Sequence, residues 1–351
     1  MASPPGQNTA RCYTAGQWHD WPVENDTAVR GQIWEHGAPV DGFELAKLSD
    51  CVSDPDRLIW ADLTNPSHQT LQTLADELEL NPWAVEDVVA DAERVKATVY
   101  SHHTFLTVYA VDYGTSGATD SLTLARISVF VRGNALITIH DDSTFDSQAV
   151  VERWQEIGMQ QYGVGALLHG LLDVVVDGHF DAVQTLDDQI ESLEALLFDQ
   201  QGSRAELQRT TYTLRKDLVK LRRVVLPMRE VIGSIERRRI SREAPKELDP
   251  MWSDLYDHTL RVAEWTESLR DMVTTVFETN LSLQDARLNM VMKKLTGWAG
   301  IIAVPTAITG FFGQNVPYPG FAHWSGFLVS TVLIIVMMVG LYAIFKRRDW
   351  I

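Results

Sequence analysis

Cysteine is scarce in this chain of 351 residues: Cys12 and Cys51 are the only two. That is too few for a disulfide framework or a thiolate zinc site, and it fits a reducing compartment. No G-x-G-x-x-G or P-loop string occurs, and no nucleophile, base and orienting group stand at a recognisable spacing. The reading is therefore not an enzyme and calls for no organic cofactor. The opening MASPPGQNTARC has no apolar core, so a disordered tail over residues 1–27 is expected there rather than a secretory signal. The most informative absence lies near the other end, where no Asp, Glu, Lys or Arg occurs between Leu295 and Phe345.

That uncharged block divides at GQNVPYPGFAHW into two apolar segments, 295–312 and 327–345, of 18 and 19 residues. Each is close to the roughly 20 residues needed to span a bilayer. The net charge of −17 lies outside the block: the terminal KRRDWI contributes +2, which leaves −19 on residues 1–294. So acidic a polar part argues against nucleic acid as a partner and for surroundings that collect cations. Lys293 and Lys294 precede the first segment and Lys346, Arg347 and Arg348 follow the second, whereas the loop over 313–326 has no Lys or Arg. By the positive-inside tendency both termini face the cytoplasm, the short loop is exported, and the chain is a multi-pass protein of the cytoplasmic membrane.

Read at alternating steps of three and four, the run into the first segment gives Asp285, Asn289, Met292, Thr296, Ala299, Ala303, Thr306, Gly310 and Gly313. One face of a helix is thus small or polar almost throughout, while Trp298, Ile301, Ile302, Ile308 and Phe311 lie on its other side. In a membrane such a stripe must meet protein or water rather than lipid, so several copies packed stripe inward would line a pore. Met292 and Leu295 are the apolar candidates for a dewetting gate, and both also fit a packing seam. Pro305 is a candidate kink in the first span.

Upstream, residues 28–170 read as an α/β domain. RLIWADL (57–63) suits a buried strand, 65–90 suits short helices with Pro66 and Pro82 at their starts, and 96–100, 103–111, 123–131 and 134–140 suit strands. Gly133-Asn134 is a hairpin signal, and the short connections favour a mixed sheet with flanking helices. His102 and His103, being adjacent, are expected in a surface or loop role rather than as a metal pair. Residues 171–244 form a charged helical hairpin. Its first arm holds eight acids, Asp173 and Asp177 among them, with no Lys or Arg, and its second arm holds twelve basic residues and four acids. Opposed fields along a Leu and Ile seam are expected across the turn at Gly202. From 250 to 312 a stalk helix repeats Leu255, Val262, Leu269, Val276, Leu283 and Met290 every seven residues and continues into the first span.

The strings DLYDH (254–258), NMVMKKLT (289–296), Pro305-Thr306, G-x-x-G-x-N (310–315) and KRRDWI resemble the CorA family of magnesium and cobalt ion channels, as do WAVEDV (83–88), RVKATVY (94–100) and NALITIH (134–140). The resemblance covers nearly all of the chain after residue 30. It implies a funnel-shaped homopentamer, with α+β cytoplasmic domains, stalk helices continuing as the pore, and second spans as an outer ring against membrane lipid. It further implies that Gly313, Gln314 and Asn315 form the selectivity filter, although the family's Gly-Met-Asn reads Gly-Gln-Asn here.

Asn315 would present a neutral amide to the waters of Mg2+, which that ion keeps; a helix-capping role for Asn315 is compatible with this. The resemblance also implies a cytoplasmic magnesium sensor at Asp87 and Asp254, against which stands a helix-dipole role for Asp254. Co2+, Ni2+ and Zn2+ are the alternative cargoes, the last in a zinc transporter of the same fold with or without proton coupling. A membrane-anchored scaffold without transport is the remaining alternative.

Overall fold

The computed structural model describes residues 9–14, 17–22, 29–40, 43–45, 48–52, 54, 56–90, 93–114, 121–141, 145–158, 160–198, 204–241, 244–314, 317–321 and 323–351. β1 (Thr9–Thr14) and β2 (Gln17–Pro22) pair antiparallel, with Cys12 opposite His19. The disordered tail expected over 1–27 is corrected at these positions. Thr, Tyr and Trp favour extended backbone, and two short runs can satisfy each other's ladder without an apolar core. The rest of that tail lies outside the described residues.

Next come β3 (Val29–Glu35), β4 (Ala38–Val40), α1 (Leu48–Val52), β5 (Arg57–Thr64), α2 (His68–Glu77), α3 (Pro82–Val89), β6 (Lys96–Val99), β7 (Thr104–Tyr113), β8 (Leu122–Arg132) and β9 (Ala135–His140). They build a seven-stranded sheet of order β4-β3-β5-β9-β8-β7-β6, antiparallel except for the parallel pair β5 and β9. Local chemistry sets the element ends. Ser67 Oγ accepts from Thr70 N at 3.1 Å to start α2, and Asn81 Oδ1 accepts from Trp83 N at 3.0 Å beside Pro82 to start α3. Arg132 pairs with Ala135 across Gly133-Asn134, where Gly133 takes φ +54°, as the hairpin signal predicts.

Strand alternation divides the sheet between two helical layers. Ile59, Ala61 and Leu63 of β5 join Phe105, Phe130 and Ile137 against Leu48, Leu71, Leu74 and Ala84 from α1 to α3. The other face receives α4 (Ser147–Ile157) and α5 (Val164–Phe198): Trp154 packs edge-on against Trp34, with ring centroids 4.7 Å apart, and Tyr113 Oη donates to Gln189 Oε1 at 2.8 Å. Along β5 and β9 this face also holds a buried polar chain, in which Trp60 Nε1 donates to Thr138 Oγ1 (3.0 Å), Thr138 Oγ1 donates to Asp62 (2.5 Å), and His140 Nε2 stands 3.3 Å from Asp62. Burial opposes ionisation of Asp62, yet the bonds from His140 and Thr138 outweigh it and lower its pKa.

The helical hairpin is α5 with α6 (Arg204–Ser241), packed along a buried seam that includes Leu186, Ile190 and Leu193 and, from α6, Leu214, Leu218 and Leu221. Two expectations change here. The helix begins at Val164, ahead of residue 171, after Gly163 at φ +58°, and it packs on β7 so that hairpin and sheet fall in one compact unit, Met1–Val273. The charges run to other elements: Arg153 of α4 binds Asp173 and Asp177, and Arg222 of α6 binds Glu267. Gly202 lies outside the described residues.

α7 (Asp249–Phe312) is one helix of 64 residues, about 96 Å long at ~1.5 Å per residue. Its heptad positions Leu255, Val262, Leu269 and Val276 are buried, whereas Leu283 is half-buried and Met290 is exposed. The second unit, Thr274–Ile351, contains the rest of α7 and α8 (Trp324–Arg347). Both helices are long and apolar enough to cross a membrane. α7 stays helical through Pro305, which has no N–H to give the Ile301 carbonyl.

Candidate ion-conduction helix and metal-binding acids

The stripe residues Asn289, Met292, Thr296, Ala299, Ala303, Thr306 and Gly310, and Leu295 beside them, are all exposed on α7. Thr306 Oγ1 donates back to the Ile302 carbonyl at 3.2 Å, which holds the side chain against the helix with its oxygen still open to an acceptor role. The helix stops where Gly313 N donates to Thr309 O at 2.8 Å and Gln314 N to Phe311 O at 3.3 Å. A Cβ on Gly313 would lie 2.9 Å from the Thr309 carbonyl oxygen, so this ending needs glycine. Asn315, on which the filter assignment rests, lies outside the described residues.

Aromatic packing orders the described part of the loop. Tyr318 Oη donates to the Phe312 carbonyl at 3.1 Å, and its ring stands edge-on to Phe312 and Phe321. Gly320, at φ +93°, meets Gly326 so closely that a Cβ on Gly326 would lie 2.5 Å from the Gly320 carbonyl oxygen. His323, at the N-cap of α8, is exposed and makes no side-chain capping bond.

The two acids assigned to sensing sit in separate clusters. Asp87 of α3 accepts from Lys96 Nζ at 2.8 Å, and the same ammonium reaches Glu93 at 3.2 Å. Burial works against the charged Lys96, but its hydrogen bonds to Asp87 and Glu93 prevail and raise its pKa. Glu93 is opposed by burial too, yet the Arg94 N–H and Lys96 hold its carboxyl below the usual range. Asp254, one turn into α7, is exposed and stands 3.7 Å from His258.

One cluster was not singled out from the sequence: ligand atoms of Asp173, Asp177 and His258 lie within 4.8 Å of one another. Its signal was present as two acids four residues apart on α5 and the same spacing in DLYDH. Only the packing of α5 against α7 brings His258 to the two acids. Arg153 already spans the acids, with Nη1 to Asp173 at 2.5 Å and Nη2 to Asp177 at 2.7 Å. A divalent ion there would compete with a bidentate guanidinium.

The histidine pair departs from expectation. His102 is exposed in the turn between β6 and β7, but His103 is buried, stacked on Tyr100 with centroids 4.8 Å apart. Burial, then Arg132 and His102, lower its pKa. A short strand end folds the ring over the sheet, which adjacency in sequence does not reveal. Two more buried histidines lie on α5. His169 Nε2 stands 3.1 Å from the Met251 carbonyl, and His179 Nε2 stands 2.8 Å from the Tyr109 carbonyl; burial lowers the pKa of both, that of His179 to about 4.

The described residues thus combine a mixed sheet with helices on both faces, a long helix bearing an exposed polar stripe, and two helices long and apolar enough to cross a membrane. The chain belongs to the CorA-like Mg2+ transporter protein family, whose profile matches residues 55–347. It is 27% identical over 322 residues to the cobalt/magnesium transport protein CorA of Thermotoga maritima, covering 89% of this chain and 90% of that protein. The complete structure of the CorA magnesium transporter from Methanocaldococcus jannaschii matches with a TM-score of 0.71 at 24% identity, covering 93% of this chain and all (100%) of that one. The ZntB cytoplasmic domain from Vibrio parahaemolyticus shares the fold at a TM-score of 0.54 and 13% identity, over 73% of this chain and 98% of that domain.

Proposed function

We propose that this transporter is a homopentameric channel that passes hydrated Mg2+, and with it Co2+ or Ni2+, across the cytoplasmic membrane with both termini on the cytoplasmic side. The observation that carries the proposal is the exposure of Asn289, Thr296 and Thr306 along one face of a helix that is otherwise fit for lipid. Polar groups at that depth are stable only against protein or water, and five stripes turned inward provide both. Asn315, with Gly313 and Gln314, forms the entrance, where neutral oxygens hydrogen-bond the waters of Mg2+ without stripping them. Met292 and Leu295 form the apolar constriction. A hydrated ion passes when that ring widens and stops when it dewets.

Cytoplasmic Mg2+ at Asp87 and Asp254 of neighbouring subunits favours the closed state by offsetting carboxylate repulsion. Lys96 tunes this sensor, since any ion at Asp87 must compete with an ammonium 2.8 Å away. A zinc-selective reading is favoured by Gln314 in the filter string and by His323, an exposed imidazole in the loop beyond it. The test is ion flux in proteoliposomes loaded with a Mg2+ reporter, with Zn2+ in a parallel arm. Asn315→Ala is expected to abolish flux while native mass spectrometry still finds the oligomer. Flux that persists in this variant, or a monomeric wild type, refutes the pore assignment.

A further inference from the structure

The second unit gathers cations at one place. Lys293 and Lys294 stand immediately before the apolar run of α7, and Lys346, Arg347 and Arg348 follow that of α8. The segments that carry the two groups meet at Gly297, which is buried: a Cβ there would lie 3.1 Å from Ile351 Cγ1 and 3.7 Å from the Phe345 ring. The end of the chain is held in that position by a turn. Asp349 takes φ +54°, Trp350 N donates to the Phe345 carbonyl at 2.9 Å, and the Trp350 and Phe345 rings stack 5.5 Å apart.

Lys293 precedes Gly297 by four residues and Lys294 by three, so both stand within about 60° of the face that receives the end of α8. Met292, Thr296 and Ala299 lie roughly 100° or more away on the stripe. All five cationic side chains are exposed, and none makes an ion pair with a carboxylate of a described residue. The nearest partner of any of them is the Tyr342 ring, 5.8 Å from Lys346 Nζ. The contrast with the first unit is plain, where Arg57, Lys96, Arg126, Arg153 and Arg222 are all paired with acids.

Five cations, with Asp349 the one acid among them, stand at the polar end of two apolar spans beside the exposed aromatics Trp298 and Tyr342, at the depth of lipid headgroups. We infer that this collar, formed by Lys293, Lys294, Lys346, Arg347 and Arg348 and closed by the packing of Ile351 on Gly297, is a binding site for the phosphate headgroups of anionic phospholipids. The guanidinium forks of Arg347 and Arg348 suit a phosphodiester, and the lysines add charge from the other helix.

The test is lipid retention by the full-length protein in native mass spectrometry, with phosphatidylglycerol and phosphatidylcholine offered in equal amounts. The wild type is expected to retain phosphatidylglycerol in excess, with affinity falling about fivefold per cation removed, and to lose the excess as salt rises. Lys293→Gln/Lys294→Gln and Arg347→Gln/Arg348→Gln each remove two of the five cations without touching Gly297, and Lys293→Arg/Lys294→Arg should restore retention. Unchanged preference in both glutamine pairs, or no preference in the wild type, overturns the inference. Competition by inorganic phosphate at millimolar concentration with equal affinity would overturn it also, by showing that the site takes free phosphate without the lipid.

Discussion

His179 offers a direct measure of how the first unit responds to acid. Its ring is fully enclosed between α5 and β7, with Nε2 donating to the Tyr109 carbonyl, and its pKa falls from 6.5 to about 4 because burial disfavours the charged ring. The unfolded chain binds a proton at this residue below 6.5, whereas the folded one resists it until about 4. Between those values the unfolded state holds more protons, so stability rises with pH. It is fully present above the upper value and is lost progressively as pH falls to the lower one. At ~1.36 kcal/mol per pH unit the loss is about 3 kcal/mol, a substantial share of the usual 5–15 kcal/mol for a domain.

His179→Gln keeps an amide donor near the position of Nε2 but cannot titrate. Chemical unfolding of the full-length protein followed by circular dichroism at pH 7.5, 5.5 and 4 should show the variant less stable than wild type at neutral pH. The gap should narrow or reverse by about 3 kcal/mol at the acid end. His103 and His169, which burial also lowers, act in the same direction in both proteins and cancel in the comparison. Parallel stability curves for the two proteins across this range would refute the reasoning.

The proposed sensor predicts that Asp87→Asn/Asp254→Asn weakens Mg2+ protection of the stalk against proteolysis, and that Lys96→Gln shifts protection to lower Mg2+; unchanged midpoints in all variants would place the sensor elsewhere. In the filter string, Gln314→Met should preserve Mg2+ flux, and zinc flux that survives His323→Ala unchanged would exclude that imidazole. Gly326→Ala should lower the melting temperature of the detergent-solubilised oligomer by several degrees, because the Gly320 backbone cannot yield to a Cβ at 2.5 Å, whereas Gly340→Ala, with nothing within 4 Å, should not. Equal melting of the two glycine variants would refute that account.

Much of this protein is written locally. The uncharged run from Leu295 to Phe345 specifies two spans because the bilayer admits no charge and no unpaired backbone, and periodicity alone reveals the stripe through Asn289, Thr296 and Thr306. Gly133-Asn134 fixes a hairpin through backbone sterics, and Asn81-Pro82 fixes a helix start. These signals act within a few residues, so no distant partner is needed to read them.

What packing decided is of another kind. Nothing in RLIWADL announces that Asp62 is buried and matched by Thr138 and His140 from a parallel strand. The heptad of the stalk is continuous in sequence, yet its positions from Leu255 to Val276 are buried whereas Met290 is exposed. Asp173 and Asp177 look like solvated acids until Arg153 and His258 arrive from other elements. Sequence spacing determines which side chains share a helix face. Which faces meet depends on how the whole apolar surface is buried, and that sum is settled only in three dimensions.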